Sequence, residues 1–535
     1  VSRRFGSGGP HIATKSSSDL TGHCFDWRRS NLDNWRAKVG EVAVGTDNQK
    51  SDRIQSGIPG MDLLLGGGFL GGRTYLILGS PGCGKTILAN QLAFYQCAQG
   101  GRSLYVTLLA ESHSRMFNNL DSMSFFKREV ITESIQYISG YNALEKDGLE
   151  GLSKLIGQAV KKNSATMLFI DGLSGINTLS ESDDRFKKFL HNLNSVVDLF
   201  GCTTFLLSSS EAFIGRPELT MVDGIIGFNF CQNEMITNRQ VEIRKLRGSP
   251  HLSGKHHYKI TGNGLVIFPR VEAILGHSTS TQTDISRQLS FGVTKLDKIL
   301  NGGVTLGSLT SLLGPGGTGK TLLGLQYLLS GAEKGENGLH VGFYEPPERL
   351  RQKAEAAGLN VSQYFKKNIL KSMWFPSSEY TLDEIILEIM EEILKSKIQR
   401  LFLDGLGGLK ASAARPSRIP RCMIALAHEL RKHNVTTVFT EETRLSEKKI
   451  ESPISDLSAV TDNILYLHRA EYKGLLRICL AVMKARDTAL PSHIYEFKIS
   501  KNGLDLGVIF KNVTGLIPTS ETTGKRTRRG AGKKR

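Results

Sequence analysis

Apolar and polar positions along this chain follow one succession of patterns, and the succession occurs twice. Short apolar runs such as TYLIL (74–78) and LTSLL (309–313) have the length of buried strands. Each leads into a glycine-rich segment and then into a stretch with apolar residues at helical spacing, ILANQLAFYQCA (87–98) in one case and LLGLQYLL (322–329) in the other. Further strand-like runs follow in each half: SLYVTLL, ATMLFID and CTTFLLS in the first, LHVGFY, IQRLFLD and VTTVFTEE in the second, with amphipathic helical stretches between them. Strands alternating with helices predict an α/β fold with a mostly parallel sheet flanked by helices. The later runs VDGIIGFNF and TDNILYLHRAE alternate apolar with polar residues and read as antiparallel additions to the sheet. Basic–apolar strands (RQVEIRKLRGSPH, LLRICLAVMKARDT) and hairpin-like pairs (HHYKITGNGLVIF, HIYEFKISKNGLDLG) complete each half.

The two halves are copies. Gly57 and Gly292, Asp62 and Asp297, and Lys85 and Lys320 all stand 235 positions apart, a spacing that marks duplication of a whole domain rather than a short solenoid repeat. We expect four segments: an arm at 1–50, a first domain at 51–275, a second at 285–514, and a tail at 515–535. The arm is rich in Gly, Ser, Asp and Arg and lacks sustained periodicity, apart from a short helical stretch around SNLDNWRAKVG; the seam near 272–288 turns polar.

Composition narrows the class. Hydrophobic residues make up 39% and charged residues 22% of 535, values of a globular protein that is soluble. The sequence has neither an apolar run of membrane-spanning length nor a signal-peptide core, so a cytoplasmic protein without a membrane partner is expected. Seven cysteines without C-x-x-C pairs read as reduced thiols. The formal net charge of +17 raises a nucleic-acid partner, yet the last fifteen residues alone carry seven Lys and Arg. That tail reads as a solvated segment, with polyanion contact as the alternative. Nucleic acid is not the favoured partner: aromatics are sparse near the basic loops, and no DNA-binding module is appended.

The candidate chemistry centres on GSPGCGKT (79–86) and GPGGTGKT (314–321). Glycines let successive backbone N–H groups face inward and cradle phosphate oxygens, and the following helix offers its N-terminus to the same anion. Lys85 and Lys320 can reach the β- and γ-phosphates, and the hydroxyls of Thr86 and Thr321 suit Mg²⁺. The other candidate phosphate contacts are Ser80, Gly82, Cys83 and Gly84 in the first loop, and Gly316, Gly317, Thr318 and Gly319 in the second. Cys83 reads as a small residue filling a loop position, with an oxidation-sensitive thiol as the other reading. Asp171 and Asp404 close buried strands at matching offsets and suit Mg²⁺ orientation; a helix N-cap is the competing role. Glu111 and Glu345 end the strand-like runs SLYVTLLAE and LHVGFYE, and plain strand-end surface residues are one reading of them.

The order of these pieces resembles the RecA superfamily and, within it, the KaiC family of double-domain ATPases, over roughly 54–512. Twin P-loops, a Glu-bearing strand end, the Asp-Gly strand end and KLRGSPH (245–251) carry the likeness. The resemblance implies two tandem RecA-like P-loop NTPase domains, a homo-hexamer of two stacked rings, Mg-ATP held between neighbouring subunits, and signalling partners. It implies that Lys245, Leu246, Arg247, Ser249 and His251 of one subunit, and Lys484 and Arg486 in the second half, reach a neighbour's nucleotide; the residue types alone equally suit an exposed strand face. Ser122 matches a nucleotide contact of the family. The resemblance implies that Glu111 and Glu345 are the catalytic carboxylates that polarise the attacking water, each standing alone where the clock family has paired glutamates. The family's autophosphorylation segment corresponds to ISDLSAVTDNI: Ser458 is retained as a phosphosite, but Ala459 and Pro453 replace threonines, and the family's base-stacking Trp is replaced near Ala357. The resemblance therefore implies a Mg-ATP hydrolase with serine/threonine autokinase activity, acting as a signalling or timing switch such as a circadian clock component. A RecA-type DNA-handling ATPase is the alternative.

Overall fold

The computed structural model describes residues 53–108, 113–173, 183–209, 217–233, 236–275, 286–376, 380–446, 449–451, 457, 460–472, 474–486 and 493–510. Each half is built on a nine-stranded mixed sheet flanked by helices.

In the first half the strands are β1 (Thr74–Gly79), β2 (Ser103–Thr107), β3 (Ile135–Ser139), β4 (Met167–Asp171), β5 (Thr203–Ser208), β6 (Gly224–Asn233), β7 (Ile236–Leu246), β8 (Lys255–Thr261) and β9 (Gly264–Phe268). Their spatial order is β9-β8-β7-β6-β1-β5-β4-β2-β3. Helices α1 (Lys85–Ala98), α2 (Tyr141–Asn163) and α3 (Asp183–Phe200) connect the parallel part. Strands β1, β2, β4 and β5 are buried along their whole length. That is why they read as continuous apolar runs: helices cover both faces, so neither set of alternating side chains meets water. Two apolar layers result, one holding Tyr75, Leu88, Phe169 and Phe205, the other Leu76, Leu104, Ile156 and Leu193.

The second half repeats this as β10 (Leu309–Gly314), β11 (Gly338–Gly342), β12 (Leu370–Trp374), β13 (Arg400–Asp404), β14 (Thr436–Glu442), β15 (Asn463–Tyr472), β16 (Leu475–Ala485), β17 (Ile494–Ser500) and β18 (Gly503–Ile509). The order is β12-β11-β13-β14-β10-β15-β16-β17-β18. Its helices include α4 (Lys320–Ala332), α5 (Pro347–Ala356), α6 (Leu382–Ser396) and α7 (Ile419–Lys432).

One expectation is corrected. The runs VDGIIGFNF and TDNILYLHRAE form β6 and β15, and both lie parallel to the phosphate-loop strand beside them. Antiparallel pairing starts one strand later, with β7 and β16. Alternating polarity reports which face is buried, whereas strand direction is set by the connection that returns the chain to the sheet.

The polar seam also divides differently in space. Val271, Ile274 and Leu275, at the end of the first half, are buried in a core made of second-half residues such as Leu382, Ile386 and Leu426. Val271 N donates to Asp383 Oδ1 at 3.1 Å, which satisfies a backbone group at the start of the short helix Val271–Ile274.

Candidate functional site

Both glycine-rich segments join the C-terminal end of a central strand to the N-terminus of a helix. Gly84 and Gly319 cap α1 and α4 with left-handed φ values of 97° and 87°. A side chain at either would also strike the sheet: a Cβ on Gly84 would lie 2.8 Å from Ile260, and one on Gly319 would lie 2.6 Å from Ile499. Glycine therefore sets the loop's curvature at these positions. Lys85 Nζ folds back to donate to the carbonyls of Gly79 and Ser80 at 2.7 and 3.1 Å. Lys320 Nζ does the same with Gly314 and Pro315 at 2.8 and 2.7 Å. Each ammonium is buried over its own loop.

Asp171 and Asp404 stand at the ends of β4 and β13, level with Thr107 and Gly342 on the neighbouring strands. Thr86 Oγ1 donates to Asp171 Oδ2 at 2.9 Å, and Thr321 Oγ1 to Asp404 Oδ1 at 3.2 Å. Burial pushes both carboxyls above the usual range, only partly opposed by their hydroxyl donors and by Lys85 or Lys320. A buried carboxylate beside a threonine hydroxyl, at the mouth of a phosphate loop, fits Mg²⁺: the ion would remove the desolvation cost of the charge. Thr86 with Asp171, and Thr321 with Asp404, are the residues that would hold it, and the ion would supply neutralisation of phosphate charge. In the second half Gly405, not Asp404, occupies the N-cap of the following helix.

Two partners of these carboxylates were not legible as site residues. Tyr105 O–H donates to Asp171 Oδ2 at 2.8 Å, and Thr440 Oγ1 donates to Asp404 Oδ1 at 2.9 Å. They come from different strands, so the halves support equivalent aspartates in different ways. The position equivalent to Tyr105 is His340, whose Nδ1 lies 3.0 Å from Ser372 Oγ while its Nε2 is buried and has no partner among the described residues. Burial holds His340 neutral, with its pKa lowered to about 3.

A cavity of about 550 Å³ opens over the first loop. Gly82, Lys85, Thr86, His113, Asp171 and Ser209 line it. His113 lies 2.9 Å from Thr107 Oγ1. Cys83 is buried, its Sγ 3.7 Å from Lys85 Nζ, and burial pushes its thiol up; Tyr258 O–H donates to its carbonyl at 2.6 Å. The thiol is thus a loop filler rather than an exposed thiolate. Glu111 and Ser458 lie outside the described residues. Ser122 is exposed in the turn after helix His113–Leu120. Glu345 is paired with Lys353 and, at 3.3 Å, with Arg349, both on α5.

The remaining candidates are separated from their own loop. Lys245 pairs with Ile225, which in turn pairs with Leu76, and Arg247 N bonds Asp223 O at the level of Thr74. Thr74 and the loop's Gly79 occupy opposite ends of β1, roughly 16 Å apart at 3.3 Å per residue. Lys245 Nζ is held by the carbonyls of Leu219 and Val222, each at 2.7 Å, and burial lowers its pKa. Arg247 donates to Thr220 O, and Ser249 accepts from Arg53. Leu246 and His251 are half-buried in the same region. Lys484, opposite Ile464, donates to Thr461 O at 2.8 Å, and Arg486 pairs with Asp462 at 3.1 Å. Both basic pairs therefore sit at the far end of the sheet from their own phosphate loops.

A P-loop, a strand-end aspartate and a mixed sheet with a parallel centre, all present twice, agree with what sequence comparison finds. The family model for the KaiC ATPase matches residues 54–272 and again 289–509. The chain belongs to the KaiC ATPase family. Its relatives include the circadian clock oscillator protein KaiC of Picosynechococcus sp., 26% identical over 484 residues, covering 88% of this chain and 92% of that protein. The KaiC of Rippkaea orientalis is 26% identical, covering 88% of this chain and 91% of its own length. KaiC 1 of Synechocystis sp. is 27% identical, with 88% and 92% covered. Two tandem RecA-like P-loop domains and ATP binding follow from membership, and a P-loop family implies nucleotide with Mg²⁺. Among the described residues, no helix is long and apolar enough to cross a membrane.

Proposed function

We propose that this KaiC-family protein hydrolyses Mg-ATP at sites shared between neighbouring copies in a ring, and that this activity serves a signalling or timing switch. The observation that carries the shared-site reading is the placement of Lys245 and Arg247 at the opposite end of β1 from Gly79. Lys245 and Arg247 cannot reach the phosphate held by their own loop, so they meet the nucleotide of the next copy, where they add to Lys85 in stabilising charge that develops in the transition state. Lys484 and Arg486 hold the equivalent place in the second half. In the first site Lys85 and the loop N–H groups bind phosphate, Thr86 and Asp171 hold Mg²⁺, and Glu111 orients water. The ring is a homo-hexamer, its units are 51–275 and 285–514, and it works in the cytoplasm with protein partners. Ser458 is the phosphosite of a serine autokinase activity.

The test is incubation of pure protein with γ-labelled ATP and Mg²⁺. Free labelled phosphate that declines in Lys85→Ala supports the hydrolase. Protein label that vanishes in Ser458→Ala supports the autokinase. A chain that binds nucleotide yet yields neither phosphate nor protein label would sink the enzymatic reading and leave an ATP-dependent scaffold.

A further inference from the structure

The two phosphate loops are alike, but the strand between each loop and its aspartate ends differently. In the first half that strand is β5; its Ser208 pairs with Leu78, so Ser209 follows at the level of the loop. In the second half β14 continues one residue further in register, and Glu442 pairs with Gly314, the first residue of the loop. Glu442 is exposed, and its Oε1 lies 3.5 Å from where a Cβ on Gly316 would stand. Its charge acts on Lys320 Nζ, the ammonium that addresses the terminal phosphates, and on the hydroxyl of Tyr344. Its carboxylate makes no hydrogen bond or ion pair among the described residues. Glu345, the strand-end carboxylate expected to orient water here, has two cations of the following helix α5 on it, Lys353 and Arg349, while its charge also acts on Asp404.

We infer that Glu442 is the catalytic carboxylate of the second nucleotide site, facing the terminal phosphate and orienting the attacking water there. The inference rests on the reading of that site as an ATP hydrolase. As the water oxygen bonds to the γ-phosphorus, its proton passes to the Glu442 carboxylate, and the bond from the γ-phosphorus to the β,γ-bridging oxygen breaks. ADP keeps that oxygen and its electron pair, inorganic phosphate departs, and Glu442 returns its proton to solvent. Water and ATP thus become ADP, phosphate and a proton. The same placement has a binding consequence. A carboxylate beside the terminal phosphate repels the extra charge of ATP over ADP, so the second site favours ADP more than the first site, where Ser209 is neutral.

The experiment uses the full chain carrying Lys85→Ala, which removes the phosphate-binding ammonium of the first site. Single-turnover hydrolysis is followed in this background with Glu442→Gln, Glu442→Asp or Glu345→Gln added. Fluorescent ATP and ADP analogues are titrated in parallel, and Lys320→Ala identifies the second-site signal. Glu442→Gln is expected to slow the remaining turnover roughly 100-fold, with Glu442→Asp between it and the parent. The loss in Glu345→Gln should be at least roughly tenfold smaller. Glu442→Gln should also shift the second-site affinity ratio toward ATP roughly fivefold, a change that mere loosening of the strand would not give. A larger loss in Glu345→Gln than in Glu442→Gln, or an unmoved ratio, overturns the assignment. Lys320-dependent binding without any remaining turnover also overturns it and leaves the nucleotide site standing. Absence of Lys320-dependent binding overturns both.

Discussion

Arg418 Nη2 lies 2.8 Å from Glu272 Oε2, and this ion pair joins the two halves of the chain. The same guanidinium reaches Asp383 Oδ1 at 2.7 Å, and Asp383 in turn receives the backbone N–H of Val271. Cys422 Sγ donates to Glu272 Oε2 at 3.1 Å. One partly buried cation thus serves two carboxylates from elements that are far apart in sequence.

Removing that cation leaves two carboxylates without their partner. Arg418→Ala is expected to destabilise the chain by about 3–5 kcal/mol, read as a lower urea midpoint. The acid dependence has a defined sign. Burial acts to raise the Glu272 pKa, but Arg418 outweighs it and holds the carboxyl down at about 2, against an ordinary 4.5. The stabilisation is complete above about 4.5 and is lost as pH falls toward about 2. Asp383 is pushed the other way by its burial, so Glu272→Gln is the variant that isolates the effect. Urea unfolding between these pH values should show a flatter acid limb in Glu272→Gln; an unchanged limb refutes the assignment.

Glu388, on the same helix as Asp383, gives the opposite slope. Its pKa is raised to about 8 by burial and by the neighbouring charge of Glu384 and Glu391, with Lys259 opposing. Lys259 itself is held 2.7 Å from Glu384 across the join between halves. Because the folded pKa is raised, the contribution is complete below about 4.5 and is lost as pH rises through about 8. Glu388→Gln should leave the melting temperature nearly unchanged at acid pH and raise it above pH 8. Equal shifts at both ends of the range would count against a protonated Glu388.

Tyr105 tests the support of the first aspartate. Tyr105→Phe removes the O–H that donates to Asp171 Oδ2 while keeping the ring between Tyr137 and Phe169. A cost of about 1.5–3 kcal/mol in stability is expected for a hydrogen bond to a charged group. Thr440→Val should have the corresponding effect on Asp404. Thermal melts with and without Mg-ATP check both. Bound nucleotide should recover part of the loss at the half that carries the substitution.

Sharing of sites between copies predicts complementation. A chain with Lys85→Ala keeps its Arg247, and a chain with Arg247→Ala keeps its phosphate loop. To confine the reading to the first-half sites, both chains also carry Lys320→Ala. Each alone should lose most phosphate release. Mixed under conditions that allow exchange, they should regain a measurable fraction, because some interfaces then pair an intact loop with an intact arginine. Additivity of the two residual rates, with no gain on mixing, would place Arg247 outside the reaction.

The sequence by itself determined what depends on neighbours along the chain. A phosphate loop needs its glycines, lysine and threonine within eight contiguous positions, so both loops were legible, as were the helices that follow them. Asp171 and Asp404 were legible too, because a charge closing a buried apolar run is a local signal. What only the tertiary structure decided depends on which strands become neighbours. Tyr105 and Asp171 meet across 66 positions because β2 lies beside β4. Glu442 reaches the second loop because β14 lies beside β10, and Lys245 is carried away from the first loop because β7 runs antiparallel to β6. Residue pattern fixes the burial of each strand. Strand order and direction are fixed by crossover connections and by the packing of both faces at once, and these place the charges around the phosphates.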